Sequence, residues 1–373
     1  MPDYDTLRLI WWLILGALLI GFALTDGFDL GVGAIFRFVG RSDEERRALL
    51  ESIEPVWEGN QVWFVLAGGA TFAAWPRLYA ASFSGLYLAM FVLLVALILR
   101  PVAFNFRNKR ADRGWRELWD WALCVAGTVP ALLFGVAFGN LFCGIPYQFD
   151  ALARPVYGGG FFNLLSPFAL LAGLVSLAML VMHGASYAAL KTGEPMAARA
   201  ARVARVSALV YLTLFVLAGL WLAFALVGQR IAPGSPDSLA RSVTLASGAW
   251  LDNYRAHPRL WLVPIAALAG AAANWGLLGA RRPLAAFLLS GLTVAATILS
   301  AGIALFPFLL PSSSHPQDGL TVWNAASSQK TLFIMLVTVA IFLPLVLAYT
   351  TWVFRTLRGR ITLEELHGHG DQY

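Results

Sequence analysis

Nine predominantly apolar stretches, each about twenty residues long or longer, leave this chain few ways to fold. They run near 8–37, 54–75, 78–104, 116–142, 162–190, 203–228, 259–280, 283–308 and 331–354. About 20 helical residues cross a hydrocarbon core of about 30 Å, so each stretch is of crossing length. In lipid every backbone polar group needs a partner within the protein, which restricts spanning structure to helices and closed barrels. Barrel strands would alternate over about ten residues, whereas these runs are continuous, so helices are expected. Of 373 residues 59% are hydrophobic and 13% charged, too little charge to coat a soluble domain of this size. The reading is an all-α polytopic membrane protein, one integral membrane domain over 1–373 with nine transmembrane helices.

The opening "MPDYDTLRLIWWLILG" lacks a basic n-region and a small-residue cleavage site, so it reads as the start of the first helix and not as a removed leader. Cys124 and Cys143 sit 19 residues apart on one expected helix, about 28 Å along its axis, too far to bridge. Orientation follows from the basic residues. The connections after the first, third, fifth, seventh and ninth spans carry 18 of the 27 Lys and Arg, and the opposite side carries 8, Arg241 among them. The excess marks the cytoplasmic side, so the N-terminus is expected outside and the C-terminus inside. The net charge of +6 then answers to an anionic membrane surface, and no nucleic-acid partner is implied.

Depth can now be assigned to the intramembrane charges. Asp26 and Asp29 lie toward the inner end of the first span. Glu54 and Glu58 open the second, Arg100 lies late in the third, Asp120 early in the fourth between Trp119 and Trp121, and His183 low in the fifth. Asp26 and Asp29 are three apart, and Glu54, Glu58 and Gln61 follow i, i+4, i+7, so each set is expected on one helical face. Acids at such depth face protein or water because lipid is costly, and they commonly mark proton or ion paths. Singly, Asp120 or Arg100 reads equally well as an interface anchor. Arg100 and Asp120 bracket the third-to-fourth hairpin and are expected to pair across it.

Haem in a membrane needs axial His, Met or Cys at suitable depth. Of the five His, only His183 lies in a span; His257 and His315 belong to outer connections, His367 and His369 to the polar tail. A lone His near Met179 and Met182 reads as packed or pore-lining. No metal-spaced His/Cys cluster, phosphate loop or nucleophile constellation is present in the sequence.

The strings "DYDTLRLIWWLILGALLIGFALTDGFDLGVG", "PVWEGNQVWFVLAGGATFAAWP", "WDWALCVAGTVPALLFGVAFGNL", "AGIALFPFLLPSSS" and "LTVWNAASSQKTL" closely resemble subunit II of the cytochrome bd ubiquinol oxidases, and the resemblance covers essentially the whole chain. It implies two four-helix bundles, 1–142 and 162–308, plus an extra helix at 331–354. It implies a heterodimer with subunit I, which carries haems b558, b595 and d, and a small single-helix accessory subunit. The complex would oxidise quinol, reduce O2 to water with protons from the cytoplasm, and charge a bacterial cytoplasmic (inner) membrane without pumping. This chain would support haem assembly and supply proton and oxygen access, with its N-terminus periplasmic and its C-terminus cytoplasmic. Position by position, Asp29, Arg100 and Asp120 match polar residues needed for a normal haem complement. Glu58 matches an acid associated with a proton channel; "WEGNQVW" stands where close relatives have "WDGNQVW". Trp63 matches the mouth of an oxygen channel, and Trp57, Asn60 and Gln61 match a site for a structural quinone. His183 matches no required ligand. Asp26 joins the proton-path set on its own residues.

Two other classes share some of these features. A proton-coupled secondary transporter could have midplane acids and a repeat of four spans, but the halves show little similarity and lack paired Gly/Pro-interrupted helices. A structural scaffold would not account for acids gathered on one side.

Overall fold

The computed structural model describes residues 2–232 and 242–362; Arg241, His367 and His369 lie outside them. Among the described residues twelve α-helices carry the fold. α1 (Tyr4–Val39) is followed by the short α2 (Asp43–Ile53), α3 (Trp57–Ala74), α4 (Pro76–Gly85), α5 (Tyr87–Phe106) and α6 (Arg113–Cys143). Then come α7 (Pro167–Lys191), α8 (Met196–Phe224), α9 (Asp252–Ala256), α10 (Leu262–Gly279), α11 (Pro283–Leu305) and α12 (Gln329–Thr356). Among the described residues three two-stranded antiparallel ribbons sit in connections on the side away from α2: β1 (Tyr147–Phe149) with β2 (Pro155–Tyr157), β3 (Val227–Ile231) with β4 (Val243–Ser247), and β5 (Phe308–Leu310) with β6 (Leu320–Thr321).

Among the described residues eight helices are long and apolar enough to cross a membrane, and they coincide with eight of the nine expected spans. The remaining one, expected over 54–75, is α3. It has 18 residues and opens on Trp57, Glu58, Gly59, Asn60 and Gln61. Glu54 is not part of it: Glu54 caps the separate helix α2, and Pro55, with no amide hydrogen, interrupts the ladder between them. The expected face of Glu54, Glu58 and Gln61 therefore does not exist, since Glu54 belongs to another helix. α2 itself starts at a capping box in which Ser42 and Glu45 satisfy each other's backbone amides. The span expected at 78–104 is likewise broken at Leu86, between α4 and α5.

α1 is the centre of the molecule and packs against α3, α6, α7, α11 and α12. At about 54 Å its 36 residues exceed the hydrocarbon core, so both ends emerge. Glycines let its neighbours come close, the usual device where lipid supplies no hydrophobic drive between helices. A Cβ on Gly31 would stand 2.1 Å from the Leu180 carbonyl oxygen of α7, and one on Gly127 of α6 would stand 2.3 Å from the Leu30 carbonyl oxygen. Gly127→Ala is therefore expected to lower the unfolding temperature of the purified complex, with a destabilisation of about 1–3 kcal/mol. Gly69→Ala, on α3 with nothing within 4 Å, should leave it unchanged. Equal melting of the two variants would refute the close crossing.

The start of α1 and the start of α12 meet on the side of the molecule away from α2. Trp11 Nε1 donates to the Leu332 carbonyl at 2.9 Å, Tyr4 Oη to that of Ser327 at 2.6 Å, and Gln329 Nε2 to that of Pro2 at 2.9 Å. Beyond this contact most of α12 is exposed.

Candidate functional site

The glycine crossings seat α1 deep in the bundle, and with it Asp26 and Asp29, both fully buried. Asp26 Oδ1 accepts from Arg100 Nη2 of α5 at 2.6 Å. One turn further on, Asp29 Oδ2 accepts from Asn60 Nδ2 of α3 at 2.8 Å. The Arg100 guanidinium lies 5.3 Å from the centre of the Trp57 ring, so α1, α3 and α5 build one polar cluster in an apolar interior. The cluster holds two carboxylates against one guanidinium. Asp26 Oδ2, Asp29 Oδ1 and Arg100 Nε and Nη1 have no hydrogen-bond partner among the described residues. Buried groups of this kind normally find one, and a water or a transferable proton satisfies them where protein does not.

Arg100 does not pair with Asp120. Asp120 Oδ1 instead accepts from Arg107 Nε at 2.5 Å and Oδ2 from Arg46 Nη1 at 2.8 Å. Depth explains the difference: Asp120 stands level with Arg107 at the end of α5, whereas Arg100 lies seven residues, about 10 Å, deeper. Arg107 Nη2 also reaches Asp43 at 2.7 Å, Arg116 Nη1 reaches the other oxygen of Asp43 at 2.7 Å, and Glu45 is held by Arg199 Nη2 at 2.5 Å. α2 is thereby tied to α5, α6 and α8 in one ionic lattice. Burial works to raise the Glu45 carboxyl, but hydrogen bonds from Arg199 and from the Arg41 and Ser42 amides outweigh it and hold it below the usual glutamate range. The sequence reading counted Arg46 and Arg107 only as loop charges. The signal that could have found them is "SDEERRALLESI", a capped amphipathic helix with acids early and bases one turn on.

Glu58 is exposed on α3, Gln61 is half-buried, and Trp63 is buried against α1, where a Cβ on Gly21 would stand 2.7 Å from Trp63 Cε3. His183 is buried with both ring nitrogens engaged: Nδ1 is 2.7 Å from Ser290 Oγ and Nε2 3.0 Å from the Leu24 carbonyl, with the ring stacked on Phe287 at 4.8 Å. His257 and His315 are exposed in connections on the side away from α2. No group of three or more His, Cys, Asp or Glu able to hold a metal occurs among the described residues, and both cysteines are free.

Against this geometry, a profile of the cytochrome bd terminal oxidase subunit II family matches residues 7–357. The chain belongs to that family. It is 46% identical over 373 residues to the cytochrome bd-I ubiquinol oxidase subunit 2 of Escherichia coli K12, covering 98% of each chain. It is also 46% identical over 367 residues to the probable cytochrome oxidase subunit 2 of Haemophilus influenzae, covering 97% of each. To the Bacillus subtilis cytochrome bd ubiquinol oxidase subunit 2 it is 29% identical over 357 residues. A chain of the bd oxidase from Geobacillus thermodenitrificans superposes with a TM-score of 0.71 over 94% of this chain and 98% of that one; at 17% identity this shows a shared fold. As a subunit II, this chain is part of a terminal oxidase, an oxidoreductase complex. The family implies haem in that complex and a subunit I beside it, and eight apolar helices fit a multi-pass protein of a bacterial inner membrane. His183, the imidazole of its spanning helices, has both ring nitrogens engaged in hydrogen bonds within the chain.

Proposed function

We propose that this subunit supplies protons, and a path for oxygen, to a reaction centre carried by its partner. The observation that carries the reading is the buried cluster of Asp26, Asp29, Arg100 and Asn60, in which two carboxylate oxygens are left without a partner inside an apolar bundle. Acids buried within a membrane commonly mark proton relays. Glu58, exposed on α3 two residues before Asn60, is the entry acid of this path. Trp63, wedged against Gly21, borders the oxygen route. Asp120, fixed by Arg46 and Arg107, supports haem assembly by holding α6 in register with α2 and α5.

The complex oxidises quinol and reduces O2 to water, with haems b558, b595 and d in subunit I and a single-helix accessory subunit alongside. Haem supplies the oxygen chemistry; this chain binds, orients and hands on protons. α3 completes a set of nine spans, grouped as bundles at 1–142 and 162–308 with α12 as the extra helix. The N-terminus faces the periplasm and the C-terminus the cytoplasm, in keeping with the basic residues of α2, the α5–α6 turn and the α10–α11 turn. A structural quinone at Trp57, Asn60 and Gln61 has less support, because the Asn60 amide is given to Asp29 and the Trp57 ring to Arg100. Family membership does not favour the transporter alternative.

The test is Glu58→Gln in the purified complex, which removes the titratable group with little change of shape. Quinol-driven oxygen uptake is expected to slow while the haem spectrum stays that of the wild type. Unaltered turnover would end the assignment of Glu58, and loss of the haem spectrum would move Glu58 to a structural role.

A further inference from the structure

Some arginines on the α2 side of the molecule are matched by an acid and others are not. Arg46, Arg107, Arg116 and Arg199 all pair with Asp or Glu. Three without an ion pair lie where α8 meets the α10–α11 turn. Arg205, Arg281 and Arg282 form no ion pair among the described residues, although Arg281 and Arg282 are exposed and adjacent. Arg205 lies across the last turn of α10: its guanidinium carbon is 4.6 Å from the centre of the Trp275 ring and 3.8 Å from where a Cβ on Gly279 would stand. Its Nε is buried without a partner. The turn itself has an unusual residue. The Arg282 amide donates to the Leu277 carbonyl and that of Ala280 to Gly276, closing the end of α10, and Arg281 takes the left-handed position at φ +57°. Glycine is the residue at ease there, and an arginine is kept at a cost of about 1 kcal/mol. One turn deeper on α8, Leu209 is half exposed, as is Trp275 on α10.

We infer that Arg205, Arg281 and Arg282 bind the phosphate of an anionic phospholipid in the leaflet on the α2 side, seated against Trp275. Uncompensated cations beside an interfacial tryptophan, with apolar surface rising from them into the bilayer, match a phosphate head with acyl chains attached. Basic pockets between spanning helices recognise such lipids, with an aromatic ring holding the guanidinium flat so that its edge N–H groups point at the head. Phosphatidylglycerol has this chemistry, whereas phosphatidylcholine carries a compensating positive charge. This inference stands apart from the proton path, since none of its residues belongs to that cluster.

The experiment uses the whole delipidated complex in detergent, with thermal unfolding followed on addition of phosphatidylglycerol, phosphatidylcholine or inorganic phosphate. Phosphatidylglycerol should raise the midpoint for the wild type, and the other two should not. Arg205→Gln with Arg282→Gln should weaken the apparent affinity by about fivefold for each charge removed. Arg281→Gly removes a charge while relaxing the backbone, so it should melt no earlier than the wild type without lipid yet respond less to phosphatidylglycerol. An identical lipid response in wild type and variants would overturn the site. A response to inorganic phosphate as large as that to phosphatidylglycerol would show a free-anion site and overturn the lipid.

Discussion

Arg100→Leu is expected to be among the most damaging single changes in this subunit. Arg100 is 2% exposed and donates to Asp26, with Asp29 one turn away, so its loss strands two buried carboxylates without a cation. Breaking a buried pair from one side typically costs about 3–5 kcal/mol, because the partner's desolvation is no longer offset. Little complex should be recovered, and what is recovered should melt early. Removing the pair as a unit is much milder. Asp26→Asn combined with Arg100→Gln should thus recover more complex than Arg100→Leu alone. If the double variant is no better than the single one, the Asp26–Arg100 pairing is not what holds this region.

Arg107→Ala should do comparable harm by a different route. Arg107 is fully buried and bridges Asp120 to Asp43, so truncation loosens α2 from both α5 and α6. Arg116 binds the same Asp43 but is partly exposed, and pairs of that kind are worth about 0–1 kcal/mol. Both variants remove an arginine from Asp43, but only Arg107→Ala also takes a partner from the buried Asp120. A drop in unfolding temperature and in haem content is expected for Arg107→Ala and almost none for Arg116→Ala. Equal effects would show that the lattice acts only through surface charge. Asp120→Ala, read through the same contacts, takes the acid from Arg46 and one of two acids from Arg107, and leaves Arg100 untouched.

The membrane class and eight spans could be read from the chain because length and hydropathy bear directly on crossing a bilayer. The ninth expected helix was harder for a physical reason. α3 places Glu58, Asn60 and Gln61 where a lipid-facing helix would have apolar residues, and only packing shows that Asn60 turns inward to Asp29. The acids of α1 were visible as candidates because charge inside an apolar run stands out. Their partners were not, since pairing depends on which helices lie level with one another, and α5 and α6 begin at different depths. Arg107 could not be told from the other basic residues of its turn until α2 was seen folded back over it. Pro55 could have warned that Glu54 and Glu58 do not share a helix. The glycine crossings at Gly31 and Gly127 were invisible in isolation, because a glycine in a spanning helix says nothing about which backbone approaches it.

The joining of the starts of α1 and α12 also bears on how the molecule is made. Ribosomal synthesis delivers Tyr4 and Trp11 to the membrane first, yet the carbonyls they bind belong to Ser327 and Leu332, more than three hundred residues later. The first helix must therefore wait, inserted but unlatched, until the last has emerged. An unfinished polypeptide remains open at that seam, where quality-control proteases would find it.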